Sequence, residues 1–161
     1  MKKHYVYILL VGLFLFNVTD VEAKQPSEAI VIECTKFNSA VLLDIKRSFP
    51  ELNVLDDEKE KVLDYTLRDL QKAKIAVGKN DRHINSLLRY FEGGSIGERR
   101  LFILGGQPSE KYESNIAGYL LYKEIDGTNV FVKLRLTKDK WVREYKKEKK
   151  GRVLSYQDYC K

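Results

Sequence analysis

The hydrophobic period of this chain changes once, near residue 98, and that change limits the folds open to it. Upstream, apolar residues recur every three or four positions: Ile30, Cys34, Phe37, Val41 and Ile45, then Leu63, Leu67 and Leu70, then Ile84, Leu87, Leu88 and Phe91. Downstream they alternate, as in Val130, Val132, Leu134 and Leu136. The first period belongs to helices with one buried stripe, the second to strands with one buried face. Helices followed by strands define an α+β domain: two or three N-terminal helices packed on a C-terminal antiparallel meander sheet.

The spacing predicts a first helix over residues 27–49, ended at Phe49-Pro50 because a residue before proline avoids helical geometry. A shorter helix capped by Asn38 competes with it, since Ile30-Val31-Ile32 is β-branched; the long helix accounts for the whole stripe. A second helix is predicted from Asp56-Asp57, with Asp57 and Glu60 as a capping box and Leu63, Leu67, Leu70 and Lys74 on one stripe. A third is predicted over 81–92, with Asp81 as its cap and Gly93 as the left-handed residue beyond it. Strands are predicted over 100–104, 116–125, 129–137 and 141–147. Asp126-Gly127 reads as a two-residue hairpin, because both residues tolerate positive φ. Lys138-Asp139-Lys140 reads as a tight three-residue turn.

Ahead of the domain, Met1-Lys2-Lys3-His4 is a short basic start and residues 5–16 form an unbroken apolar run. That run of about twelve residues is too short for a membrane span, which needs about twenty. Val21-Glu22-Ala23 offers a small residue before Lys24. The pattern is that of a secretory signal peptide over residues 1–23, leaving one domain over residues 24–161 with no transmembrane span. The expected location is therefore outside the cytoplasm, periplasmic or secreted.

The formal net charge is +6. Lys2, Lys3, Asp20 and Glu22 cancel, so cleavage would leave it unchanged. A basic exported domain calls for acidic partners, another protein or an anionic ligand, and seldom meets nucleic acid. Apolar residues are 43% of the chain, too many for a disordered one. The two cysteines, Cys34 and Cys160, lie near the ends of the mature domain. Oxidising compartments pair such thiols, so a Cys34–Cys160 disulfide is expected, fixing the tail to the first helix. Two cysteines and one mature histidine make a poor metal-ligand set, and no cofactor is implied.

Gly93-Gly94-Ser95-Ile96-Gly97 matches the G-x-S-x-G pattern of serine hydrolases. A nucleophile elbow needs a strand before the serine and a helix after it, the reverse of the order predicted here. His83 precedes the serine, again against the order of that fold. Nothing in the spacing forces His83 onto an acid such as Asp64 or Asp81, so no catalytic set emerges. The last hairpin is more informative. A three-residue turn would set Thr137 opposite Trp141, Arg135 opposite Arg143, and Lys133 opposite Tyr145. One face would then be aliphatic. The other would interleave Lys133, Arg135, Trp141, Arg143 and Tyr145, suited to an anionic or stacked ligand. The run from Lys146 to Arg152 is a second basic candidate.

With its long first helix, its hairpin at Asp126-Gly127 and a closing strand led by Lys140-Trp141-Val142, the chain resembles the nuclear transport factor two-like (cystatin-like) roll. The resemblance implies helices packed into a curved sheet. Members include enzymes and many non-catalytic exported modules, so it decides no activity. The expected function is that of an exported, non-catalytic binding protein, an inhibitor or immunity-type partner of another protein. The alternative is a carrier of a small apolar or anionic ligand held between helices and sheet.

Overall fold

A computed structural model describes residues 28–57, 61–78, 80–105 and 116–160. The expected leader, residues 1–23, lies outside them. Helix α1 (Glu28–Ser48) leads through a 3-10 turn (Pro50–Asp56) to strand β1 (Leu63–Tyr65). Helices α2 (Leu67–Val77) and α3 (Arg82–Leu88) follow, and α3 runs on into a 3-10 turn (Arg89–Phe91). Strands β2 (Ile96–Leu104), β3 (Ala117–Lys123), β4 (Thr128–Leu136) and β5 (Trp141–Lys150) then form an antiparallel meander with β1, in chain order. A last 3-10 turn, Tyr156–Asp158, sits in the tail. The α+β expectation holds.

Phe37, Val41 and Ile45 are buried at steps of four along α1. Phe49 leaves the helix with φ −130° and ψ 94°, the extended geometry forced on a residue before proline. Its ring stays buried, with Leu52 and Leu55 of the turn behind it. No helix begins at Asp57, contrary to the sequence reading. Asp57 closes the 3-10 turn and Glu60 lies outside the described residues. Leu63 and Tyr65 instead pair with Ile103 and Leu101 as a short edge strand. Helix α2 starts after Thr66, whose hydroxyl accepts from the Asp69 N–H while the Asp69 carboxylate accepts from the Thr66 N–H. That reciprocal pair is the true capping box. Asp81 caps α3 as expected, accepting from the Ile84 N–H at 2.7 Å.

The β3–β4 hairpin is one residue longer than expected. Glu124 N–H donates to the Thr128 carbonyl at 2.8 Å, and Gly127 N–H donates back to Glu124 at 2.9 Å. Ile125, Asp126 and Gly127 are left as the loop, with Gly127 at φ 87°. This is the turn-plus-glycine solution, in which one left-handed residue restores the strand twist.

The sheet is covered on both faces. On one, Phe37, Val41, Ile45, Phe49 and Leu52 pack against Phe102, Leu104, Leu121 and Phe131. On the other, Leu70, Leu87 and Phe91 pack against Leu101, Leu120, Val130, Val132 and Leu134. Adjacent residues such as Leu120 and Leu121 therefore serve opposite cores, which is why the strands read as near-continuous apolar runs. Among the described residues no helix is long and apolar enough to cross a membrane.

One polar group is built into this core. Lys123, at the end of β3, is 0% exposed. Its ammonium donates to Asp44 Oδ2 at 2.7 Å, to the Gly127 carbonyl at 3.2 Å and to the Arg152 carbonyl at 3.0 Å. Three N–H groups thus meet three acceptors. Asp44 also accepts from Asn129 Nδ2 at 2.8 Å and from the Arg152 N–H at 3.1 Å. A side chain at Gly151 is ruled out, since its Cβ would lie 2.4 Å from Asn129 Nδ2 and 2.6 Å from Asp44 Oδ2. Burial by itself would raise the Asp44 carboxyl. Hydrogen bonds from Lys123, Asn129 and the Arg152 backbone together outweigh it and hold the group at about 2, below its ordinary 3.8.

A depressed folded value means that the ionised form is the one folding favours. Its contribution is complete above pH 3.8 and is lost as pH falls toward about 2. Lys123→Met should lower stability in urea at pH 7 by about 3–5 kcal/mol, because it removes the buried ammonium and leaves Asp44 with only the more exposed Arg152 guanidinium, 3.2 Å away, as a cationic partner. The deficit should shrink as pH falls toward 2. A constant deficit across that range would mean that Asp44 does not titrate with folding.

Candidate functional site

Strand β5 is the last of the sheet, so one of its edges pairs with β4 and the other pairs with no strand among the described residues. From Thr128↔Lys150 to Lys133↔Tyr145 the pairing follows the register expected from the sequence. Beyond that it slips by one residue: Leu134 faces Arg143, Arg135 faces Val142, and Leu136 faces Trp141. Glu144 is the extra residue of a β-bulge. The turn explains the slip. Thr137 N–H donates to the Lys140 carbonyl at 2.9 Å, and Lys140 N–H donates to Thr137 Oγ1 at 3.3 Å. The loop is thus Lys138-Asp139, one residue shorter than expected, and the bulge takes up the difference.

That single residue divides the expected constellation. Lys133 and Tyr145 do share a face, with the ammonium 5.8 Å from the ring centroid. Arg135 continues that face and is exposed. Trp141 and Arg143 turn to the opposite side. Trp141 is 6% exposed, in one core cluster with Val132 and Leu134. A Cβ on Gly118 would lie 3.0 Å from its indole Cζ3, so the indole fills space that the glycine leaves open. Trp141 is therefore a core residue and no part of an exposed site, and Arg143 stands on the outer rim, opposite Leu134.

Two lysines that the sequence reading assigned to a general basic run take their place. On the α1 side of the sheet, Tyr145 meets Phe131 edge to face at 5.6 Å, and Phe131 stacks on Tyr119 at 5.6 Å. Lys147 lies 5.3 Å from the Tyr145 ring centroid and bridges to Glu51. Lys149 lies 5.7 Å from the Phe49 ring centroid. Lys133, Arg135, Tyr145, Lys147 and Lys149 thus form one cationic face with aromatic residues beneath. Its legible signal was the alternation of Tyr145, Lys147 and Lys149, hidden because the strand was ended at residue 147. The other side of β5 is better neutralised: Lys146 pairs with Glu124 and Glu148, and Lys150 with Asp126. A hydrogen bond to Glu144 raises the Lys133 ammonium, and one to Glu51 raises that of Lys147, so both stay charged.

The hydrolase-like motif occupies the connection from a 3-10 turn to β2, the order expected, and Ser95 Oγ donates to the Gly97 carbonyl at 3.1 Å. Neither candidate acid is directed at His83. Asp81 caps α3, and Asp64 is gripped by Arg100 through both Nε and Nη2. Among the described residues no group of three or more metal-ligating side chains forms.

The expected disulfide is not formed between Cys34 and Cys160. They lie near each other but not at bonding distance. Between them is Tyr156, whose hydroxyl bonds to Cys34 and, in turn, to Cys160, and is pushed up in pKa by those bonds. Phe37 receives both Tyr156 and Tyr159 at 5.4 and 5.6 Å. The tail is thus fastened to α1 where expected, through rings and hydrogen bonds. No family model, curated protein or solved structure matches the chain.

Trp141→Ala should cost about 3–5 kcal/mol, the range for truncating a large aromatic in a packed core. Arg143→Ala and Lys149→Ala should each stay within about 0.5 kcal/mol of the parent. Urea unfolding of the three variants checks this. A Trp141 variant as stable as the parent would place the indole outside the core and remove the bulge from the account.

Proposed function

We propose that the chain is an exported, non-catalytic binding protein whose β4–β5 ribbon holds an acidic partner protein, in the manner of an inhibitor or immunity protein. The observation that carries this reading is the face formed by half-buried Lys133 with exposed Arg135, Tyr145, Lys147 and Lys149, beside a strand edge that pairs with no strand among the described residues. Long cationic stems over aromatic rings suit carboxylate-rich surfaces, because the rings bury apolar area while the ammonium groups stay hydrated. The edge adds backbone donors and acceptors for an extended segment. The net charge of +6 draws the same class of partner from a distance.

Binding of a fluorescent glutamate-rich peptide should be measurable by anisotropy at low salt and fall steeply between about 50 and 500 mM salt, because exposed charges are screened. Replacing Arg135, Lys147 and Lys149 together by alanine should weaken it about tenfold, at a few tenths of a kcal/mol per charge. Equal affinity in the triple variant would remove the ribbon from the interface.

Export carries the cysteines with it. In an oxidising compartment the neighbouring Cys34 and Cys160 are proposed to close into a disulfide, each losing its thiol hydrogen to an exported thiol oxidant and releasing the Tyr156 hydroxyl. Intact mass of the exported protein should match a chain beginning at Lys24, lighter by the two thiol hydrogens. A mass that retains the leader or both hydrogens would contradict the corresponding part.

A further inference from the structure

The glycine-rich connection from 93 to 97 has no part in that reading, yet it covers an arginine with an unusual environment. Arg99, on β2, passes its side chain under the connection. Nη1 donates to the Tyr90 carbonyl at 2.7 Å and Nη2 to the Gly94 carbonyl at 3.3 Å. The guanidinium carbon stands 4.1 Å from the Tyr122 ring centroid. Nε is buried with no hydrogen-bond partner. No carboxylate neutralises the group among the described residues; the adjacent Glu98 pairs with Arg100 at 3.6 Å. Gly93 leaves room for this approach. A Cβ on Gly93 would lie 3.2 Å from Arg99 Nη2, and Gly93 and Gly97 hold φ of 96° and 68°. The first glycine of the G-x-S-x-G match thus lies against Arg99, and the last lies against Asn38 and Val41.

Arg99 is one wall of a cleft of about 380 Å³. Helix α2 supplies the other wall with Arg68 and Gln71, three residues apart and so on one helical face. Leu67 and Phe91 add apolar surface, and Glu98 stands on the lining as its one acid. Arg68 has no ion-pair partner among the described residues. Two guanidinium groups lacking counter-charges therefore face one small cleft with an apolar side.

We infer that this cleft between α2 and the 93–97 connection is a binding site for a small organic carboxylate, with its charge between Arg68 and Arg99 and its apolar body against Leu67 and Phe91. The volume lies within the range of about 300–1,000 Å³ common for small-molecule clefts. A single negative charge suits it better than a phosphate dianion, because Glu98 lines the same cleft and the Tyr90 and Gly94 carbonyls already accept from Arg99. The carboxylate would supply the counter-charge that a half-buried guanidinium otherwise lacks. The site is separate from the ribbon, so either reading can fail alone.

The test is a two-dimensional amide NMR titration of the mature chain, at constant ionic strength, with benzoate, benzamide and inorganic phosphate. Benzoate should give saturable shifts confined to residues 67–71 and 91–99. Benzamide, which lacks the charge, and the Arg68→Ala variant should each bind about tenfold more weakly, as loss of a charge-assisted contact requires. Arg68 is exposed, so its variant keeps the fold even where Arg99→Ala, which frees two backbone carbonyls, does not. Shifts centred on Lys133 and Lys147, unchanged affinity in Arg68→Ala, benzamide binding equal to benzoate, or phosphate binding equal to benzoate would each overturn the assignment.

Discussion

The fold is tied together at the ammonium of Lys123. Its three acceptors belong to three separated stretches: Asp44 on α1, Gly127 in the β3–β4 loop, and Arg152 in the tail. Asn129 and the Gly151 backbone complete the group, and Gly151 N–H donates to the same Gly127 carbonyl at 3.2 Å. A buried ion pair gives little net stability compared with apolar packing, but it is intolerant of misplacement. Any sliding of α1 over the sheet, or any other path for the tail, would leave a charge in the core unpaired. Apolar contacts drive α1 onto the sheet; this pair fixes where it stops.

The same constraint shapes the cationic face of the β4–β5 ribbon. With α1 held across one face, Glu51 of the following turn is brought to Lys147 and the Phe49 ring to Lys149. The ribbon's cations are thereby spread along a rigid support instead of swinging on a free hairpin. On the opposite face α2 and α3 are held by a separate apolar cluster, and the cleft around Arg99 opens beside α2. The ribbon face and the cleft, on the two sides of one sheet, rest on different cores.

Much of this was legible in the sequence. Helical spacing located α1, and Phe49-Pro50 located its end; Asp81 and Gly93 bracketed the third helical segment; alternation located β4. The α2 boundary was missed because Leu63 fits a helical stripe and a strand equally well, and because an aspartate at Asp69 is a less familiar half of a capping box than a glutamate. The β5 site was half legible for a sharper reason. Strand periodicity assigns faces only relative to a starting register, and one bulged residue at Glu144 reverses every assignment beyond it. Trp141 and Arg143 lie beyond it; Lys133 and Tyr145 do not. The buried cluster at Lys123 was invisible, since nothing in a lysine at a strand end announces that a carboxylate far along the chain will meet it.

A strand edge with no strand beside it among the described residues is also a template on which a second copy of the same chain can add. Antiparallel pairing of β5 with another β5 would bring Tyr145-Lys146-Lys147-Glu148-Lys149-Lys150, four lysines to one glutamate, against a segment of the same net positive charge, with Lys146 directly opposite Lys149. Like charges directly opposed across a ladder are destabilising. The net positive charge along this edge therefore disfavours self-addition, and the ammonium groups that make the ribbon cationic also oppose polymerisation through the sheet.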